Sequence, residues 1–115
     1  MSNPKPGEIW LVRFPFTDLV SAKVRPALVW ARYRQDAIIL GIFSKLPTGT
    51  RPETGVLIAD NHPSFTETGL KKASLLRTEK IATIHESVFQ RQLGDLPPDL
   101  LHQTQKALRR TLNLE

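Results

Sequence analysis

Residues 24–44 read VRPALVWARYRQDAIILGIFS, and this stretch decides the fold class. Two runs rich in β-branched, aliphatic and aromatic side chains, residues 24–33 and 37–44, flank a short polar segment that includes Asp36. Runs of this composition are typical of β-strands, and the short separation is that of a hairpin. The stretch therefore predicts two neighbouring antiparallel strands.

Three further runs of the same kind lie outside this stretch, at residues 8–14 (EIWLVRF), 55–59 (GVLIA) and 74–84. Each is short and bounded by Gly, Pro, Asp or Asn, which are residues that end strands. No long helices alternate with the runs, as they would in a parallel sheet. The pattern predicts a mainly β fold, a compact SH3-like barrel of about five antiparallel strands, with a short helical turn around residues 86–91.

The C-terminal segment has a helical rather than a strand period. Its apolar positions recur at i, i+1, i+4, i+7, i+8 and i+12, which is the stripe of an amphipathic helix: Leu100, Leu101, Thr104, Ala107, Leu108 and Leu112. Pro97, Pro98 and Asp99 suit the start of such a helix, and two arginines, Arg109 and Arg110, suit its negative C-terminal end. We expect this helix to pack on the strands, with partner binding as a second possible role.

Length and composition indicate one domain. The chain has 115 residues, 40% of them hydrophobic, enough for one core and too few for two. It has no cysteine, which removes disulfides and thiolate chemistry and fits a reducing compartment. The longest apolar run, residues 37–43, is far below the ~20 residues needed to cross a bilayer. We therefore expect a cytoplasmic protein that does not enter a membrane.

The positive charge is concentrated in one third of the chain. The net charge is +5, and residues 19–52 carry six basic residues against the single acid Asp36, whereas the rest of the chain is balanced. The six are Lys23, Arg25, Arg32, Arg34, Lys45 and Arg51. A local excess of this kind indicates a polyanion-binding surface, although a solvated basic face would have the same composition.

Arg25 and Pro26 form the most informative dipeptide. Proline fixes its own φ and favours an extended conformation in the preceding residue, so Arg25 is expected at the mouth of a strand with its backbone direction fixed. The guanidinium is a permanently charged fork that matches phosphate oxygens. Taken alone, an Arg-Pro before an apolar strand is common, and most such arginines have no catalytic role.

Five blocks in order resemble the MazF/PemK family of toxins. They are PGEIW at residues 6–10, RPALV at 25–29, FSK at 43–45, Gly69-Leu70 with Ser74, and EKIATI at 79–84. The resemblance extends over nearly the whole chain. It implies an SH3-like barrel, a homodimer with single-stranded RNA crossing its interface, sequence-selective cleavage of messenger RNA, and an antitoxin partner that blocks the same groove.

The resemblance implies catalytic roles for two residues. Arg25 corresponds to the family's arginine at the scissile phosphate. Ungapped counting places Phe43 at the family's catalytic threonine and Ser44 one residue later, so Ser44 can replace the threonine only if the strand end or a bulge re-aims it. Thr48 and Thr50 in the following loop are the other hydroxyl candidates.

The remaining predicted site residues follow from charge and position. Lys23, Lys45, Arg51 and Thr48 are candidate RNA contacts, and Phe16 is a candidate for stacking on a base. The acid that some relatives carry before the Arg-Pro is missing, because residues 20–23 read VSAK, and the nearest acid is Asp18. Asp18 and Glu79 are the candidate acid/base groups, and Glu79 could instead orient a loop or bind the antitoxin.

No cofactor or metal is expected. The three histidines, His62, His85 and His102, are not paired by position, and no His/Asp/Glu cluster has metal-ligand spacing. The nucleophile is then the 2′-hydroxyl of the RNA itself, and the protein has to align it and stabilise the charged transition state.

Two alternatives remain open from the sequence. One is a barrel of the same architecture that poisons DNA gyrase, as CcdB-like toxins do through an aromatic-bearing C-terminal end. The chain ends TLNLE, without an aromatic residue. The other is a non-catalytic RNA-binding module, in which the missing threonine reflects lost activity.

Overall fold

Six antiparallel strands and one α-helix form the part of the chain that the computed structural model describes, residues 3–13, 23–49 and 52–114. The strands are β1 (Glu8–Arg13), β2 (Val24–Tyr33), β3 (Asp36–Phe43), β4 (Gly55–Ile58), β5 (Ser74–His85) and β6 (Phe89–Asp95). The helix is α1 (Pro98–Thr111), and two 3-10 turns span Phe65–Thr68 and Glu86–Val88. The strands make one sheet in the order β4-β5-β3-β2-β1-β6.

The hairpin predicted from residues 24–44 is confirmed. Strands β2 and β3 pair antiparallel from Ala27 opposite Gly41 to Tyr33 opposite Asp36. The turn consists of Arg34 and Gln35, and Arg34 has a positive φ of 54°. A left-handed residue in a two-residue connection matches the right-handed twist of the flanking strands.

The core divides between the two faces of the sheet, because side chains alternate along each strand. One face carries Ile9, Leu28, Leu40 and Leu76, and α1 packs on it. The other face carries Trp10, Val12, Val29, Ile39 and Phe89, with the Trp10 and Phe89 rings in an edge-to-face contact at 5.8 Å between centroids.

The C-terminal helix is confirmed, with one exception. Pro97 is its N-cap, Pro98 its first residue, and Arg109 and Arg110 lie in its last turn. The buried side chains are Leu100, Thr104, Ala107 and Leu108, as the stripe predicts. Leu112 is 46% exposed, because the helix ends at Thr111 and the chain turns away before the stripe is completed. No helix in the described part of the chain combines the length and the apolar character that crossing a bilayer requires.

The mainly β fold is confirmed, with six strands where about five were predicted, and the helical turn expected at residues 86–91 is shorter. Only Glu86–Val88 is helical, and Phe89 begins a sixth strand that pairs with β1 from Glu8 opposite Asp95 to Val12 opposite Phe89. This strand reads FQRQLGD, lies at the sheet edge and has little apolar alternation. Its hydrogen bonds to β1 stabilise the extended backbone that its side chains alone do not indicate.

The predicted barrel is not closed by strand pairing. Strands β4 and β6 are the two edges of the sheet. The segment around Phe65–Thr68 lies against β6 instead: a Cβ added to Gly69 would lie 2.0 Å from the Leu93 carbonyl oxygen, and one added to Gly94 would lie 2.1 Å from the Glu67 carbonyl oxygen. Two glycines therefore allow backbone-to-backbone contact, which brings residues 69–72 over one end of the sheet.

Candidate functional site

A cavity of about 450 Å³ lies where β2 begins and β3 ends, below the segment of residues 69–72. Its volume is in the range of small-ligand sites, which is roughly 300–1,000 Å³. It is lined by side chains from β1, β2, β3, β5, β6 and that segment: Leu11, Val24, Arg25, Pro26, Ile42, Ser44, Gly69, Leu70, Lys71, Lys72, Ser74, Arg91 and Leu93.

Arg25 is the second residue of β2, and it lines this cavity. It lies opposite Val12 of β1, and Pro26 lies opposite Leu11. Pairing between β2 and β3 begins at Ala27, so Pro26 lies outside that pairing. The missing N–H of the proline therefore costs no hydrogen bond to β3. The sequence prediction that Arg25 stands at the mouth of a strand is confirmed. Its side chain is half-buried, and it forms no ion pair with the residues that the structure describes.

Ser44 lines the same cavity as Arg25. Strand β3 ends at Phe43, and Ser44 follows immediately in the bend. Ser44 and Ile42 both line the cavity, whereas the intervening Phe43 places its ring next to the guanidinium carbon of Arg25, 5.4 Å from the centroid. The offset of one residue therefore brings the hydroxyl, rather than the aromatic ring, to the cavity. A catalytic role for Ser44 remains a prediction.

Three basic residues of the cavity were missed in the sequence: Lys71, Lys72 and Arg91. All three are exposed, and with Arg25 they give the lining four positive charges. They lie outside the basic third of the chain, and residue 91 was predicted in a helical turn rather than in a strand beside β1. The adjacent pair at residues 71 and 72, close to the Gly69-Leu70 block, was the one signal available.

The other predicted RNA contacts, acid/base candidate and hydroxyl candidates lie away from the cavity or outside the described residues. Lys23 is exposed immediately before β2, and Lys45 and Thr48 are exposed after β3, but none of the three lines the cavity. Phe16, Asp18, Thr50 and Arg51 lie outside the described residues. Their roles remain predictions.

Glu79 does not line the cavity and is held by Arg77, its neighbour on the same face of β5. Its carboxylate oxygen Oε2 accepts a hydrogen bond from Arg77 Nε at 2.7 Å and lies 2.6 Å from Arg77 Nη2. Burial would raise the pKa of Glu79, but hydrogen bonds from its own backbone amide, Thr54 and Arg77, together with the Arg77 charge, outweigh burial and lower the pKa. Glu79 is therefore an anion at neutral pH with its charge committed to Arg77.

A family model matches nearly the whole chain. The model for the PemK-like, MazF-like toxin of type II toxin-antitoxin systems matches residues 5–112. The chain belongs to this toxin family. The match includes every described residue of the cavity, and it confirms the resemblance that the five sequence blocks indicate. No curated protein is similar enough in sequence to match the chain.

Solved structures of MazF toxins have the same fold. The Mycobacterium tuberculosis toxin MazF-mt6 aligns with a TM-score of 0.74 at 18% identity, over 94% of this chain and 98% of that one. MazF from Deinococcus radiodurans aligns with a TM-score of 0.70 at 18% identity, over 96% and 97%. An endoribonuclease in complex with its cognate antitoxin, from a Mycobacterial species, aligns with a TM-score of 0.70 at 19% identity, over 98% of both chains.

In this PemK-like, MazF-like toxin the histidines lie away from the cavity. His62 Nε2 lies 2.9 Å from Asp99 Oδ2, and this hydrogen bond lowers the pKa of Asp99. His85 Nδ1 accepts a hydrogen bond from the Ser87 amide, and His102 is exposed on α1. In the described part of the chain no three His, Asp or Glu side chains are grouped to hold a metal ion.

Proposed function

We propose that this toxin is a metal-independent, sequence-selective endoribonuclease that cleaves single-stranded messenger RNA in the cytoplasm. The observation that carries the proposal is that Arg25, in β2, and Ser44, just after β3, line one cavity. A fixed positive charge and a hydroxyl at one place are the groups that phosphoryl transfer by the substrate's own 2′-hydroxyl requires from a protein. The endoribonuclease with the same fold supports the activity.

The charge of the cavity favours a phosphate-bearing ligand. Its described lining contains four basic side chains and no carboxylate. Most of its apolar lining residues, among them Leu11, Ile42 and Leu93, come from strands, whereas Lys71 and Lys72 come from the covering segment. A nucleotide combines the two matching properties, an apolar base face and an anionic phosphate.

The reaction follows from these groups. The 2′-oxygen attacks the adjacent phosphorus and loses its proton, the bond from phosphorus to the 5′-oxygen breaks, and the 5′-oxygen takes up a proton. Arg25 binds the phosphate oxygens and stabilises the added charge of the transition state, and Ser44 donates a hydrogen bond there. Since the described lining offers neither carboxylate nor imidazole, Asp18 remains the acid/base candidate, and Glu79 is better suited to a structural role.

Two protein partners belong to the proposal. We expect a homodimer, because one chain of 13.0 kDa offers only a short RNA groove. We also expect an acidic antitoxin segment that competes with RNA for the basic cavity, by analogy with the antitoxin complex of the Mycobacterial endoribonuclease. For the homodimer, light scattering of the purified toxin alone at micromolar concentration should give twice the chain mass. A mass of 13.0 kDa alone would contradict the dimer.

Incubation of purified protein with RNA separates the proposal from its alternatives. The endoribonuclease cuts RNA at defined sequences, the non-catalytic module binds RNA without cutting it, and the gyrase poison inhibits supercoiling and leaves RNA intact. Intact RNA after incubation with folded protein would reject the proposed activity.

The double variant Lys71→Ala/Lys72→Ala is expected to weaken RNA binding and to lower its salt dependence. Each lost phosphate contact reduces the slope of log K against log salt by about 0.7 for single strands, so two lost contacts reduce it by about 1.4. Fluorescence anisotropy with a labelled oligonucleotide at several salt concentrations measures the slope. Lys106→Ala/Arg110→Ala, which removes the same charge from exposed positions of α1, is the control and should keep the wild-type slope. Equal slopes for the two double variants would remove residues 71 and 72 from the RNA site.

A further inference from the structure

Phe43 lies between two arginines that come from the strands on either side of it. Strand β3 is flanked by β2 and β5 in the sheet. The guanidinium carbon of Arg25, from β2, lies 5.4 Å from the centroid of the Phe43 ring, and that of Arg77, from β5, lies 5.7 Å from it. Both distances are within the range of a cation–π contact, which is about 6 Å.

Only one of the two guanidiniums is held by an acid of the described chain. The Glu79 oxygen Oε2 accepts a hydrogen bond from Arg77 Nε at 2.7 Å and lies 2.6 Å from Arg77 Nη2. Both nitrogens share the one oxygen Oε2, and a charge-assisted contact of this kind restrains the position of the guanidinium. The Arg77 guanidinium is thus held by a carboxylate and also lies over the ring, while Arg25 contacts the same ring and lines the cavity.

We propose that Phe43, Arg77 and Glu79 position the guanidinium of Arg25 at the cavity, with Phe43 in direct contact and the Arg77–Glu79 pair holding the ring. The proposal rests on the proposed function for its catalytic consequence, but the placement of Arg25 is a property of the protein alone. The face of an aromatic ring attracts a cation without neutralising it, so Arg25 keeps its full charge for a phosphate. A carboxylate in the place of Phe43 would orient Arg25 equally well and would cancel that charge.

The arrangement also makes an aromatic residue at position 43 compatible with the proposed activity. The ring occupies the register position that the family resemblance gives to a threonine, and Ser44 supplies a hydroxyl to the cavity. Arg77 stands opposite both Gly41 of β3 and Gly55 of β4.

The first test measures the position of Arg25 without any RNA. Protons over the face of an aromatic ring resonate upfield, so the Nε–Hε signals of Arg25 and Arg77 in the ¹⁵N-labelled protein should lie upfield of those of arginines that contact no ring. Arg25→Lys identifies the Arg25 signal. Phe43→Leu should remove the upfield shift, Phe43→Tyr should retain it, and Glu79→Gln should reduce it by freeing Arg77. An unchanged Arg25 signal in folded Phe43→Leu would overturn the proposal, whatever the protein does to RNA.

The second test measures cleavage. Phe43→Leu is expected to lower kcat about tenfold with little change in KM, the loss that corresponds to one cation–π contact, and Phe43→Tyr should restore it. Phe65→Leu, which shortens a half-buried ring away from the cavity, controls for general loosening of the core. Equal loss in Phe43→Leu and Phe65→Leu, or no recovery in Phe43→Tyr, would reduce Phe43 to a packing residue. If the wild-type protein cuts no RNA, the proposed function fails, and the resonance test still decides the positioning.

Discussion

Replacement of Arg25 by Ala is expected to lower the rate of RNA cleavage by about 10²–10³, the usual cost of removing one preorganised group that stabilises transition-state charge. The fold should survive, because Arg25 is only half-buried and lies at the strand mouth rather than in either core cluster. Single-turnover cleavage of a defined oligonucleotide gives the rate, and thermal unfolding by circular dichroism gives the stability. Near-wild-type cutting by folded Arg25→Ala would remove the centre of the proposed mechanism.

Two further variants test whether the lower cleavage rate of Arg25→Ala is specific to the cavity. Arg110→Ala removes an exposed arginine from the last turn of α1 and should leave cleavage unchanged. Ser44→Ala removes a hydroxyl from the cavity without changing its charge, so its effect should be smaller than that of Arg25→Ala. A negligible effect of Ser44→Ala would shift the search for the second catalytic group to Thr48 or Thr50.

The parts of the fold that apolar patterns encode could be predicted from the sequence. The hairpin of β2 and β3 was predictable because Leu28, Ile39 and Leu40 belong to runs that must be buried on a sheet. Strand β6 could not be predicted, because its residues are mostly polar and its pairing partner, β1, lies about 80 positions earlier in the chain. Edge strands depend on hydrogen bonds to a neighbour, and a local pattern does not record them.

The site shows the same division. Arg25 could be singled out because a proline fixes its backbone direction, and the resemblance added its role. Lys72 and Arg91 could not be assigned to the site from the sequence. They lie beside the same cavity as Arg25 because Gly69 and Gly94 allow two backbone segments to come into contact. The choice between Phe43 and Ser44 depended on where β3 ends, and a strand boundary is a tertiary property that counting along the chain does not give.

Substitution of the 2′-hydroxyl by hydrogen at the cleaved nucleotide is expected to abolish cleavage altogether. In the proposed reaction this hydroxyl is the nucleophile, so its removal leaves nothing to attack the phosphorus, while the phosphates that bind Arg25 and the lysines remain. The modified oligonucleotide should therefore still bind and should inhibit cleavage of the unmodified RNA. Gel analysis of both strands in one reaction measures cleavage and inhibition together. Cleavage of the modified strand would show that another nucleophile acts.

The ends of the products identify the attacking group independently. Attack by the 2′-oxygen leaves a 2′,3′-cyclic phosphate on one fragment and a free 5′-hydroxyl on the other, whereas attack by water can leave a 5′-phosphate. Mass spectrometry distinguishes these ends, because a cyclic phosphate is lighter than the corresponding open phosphate by one water. Since Arg25 supplies the stabilising charge, cleavage should also persist in excess EDTA. Loss of activity in EDTA with recovery in magnesium, together with 5′-phosphate ends, would mean that a metal-activated water is the nucleophile and that Arg25 serves binding alone.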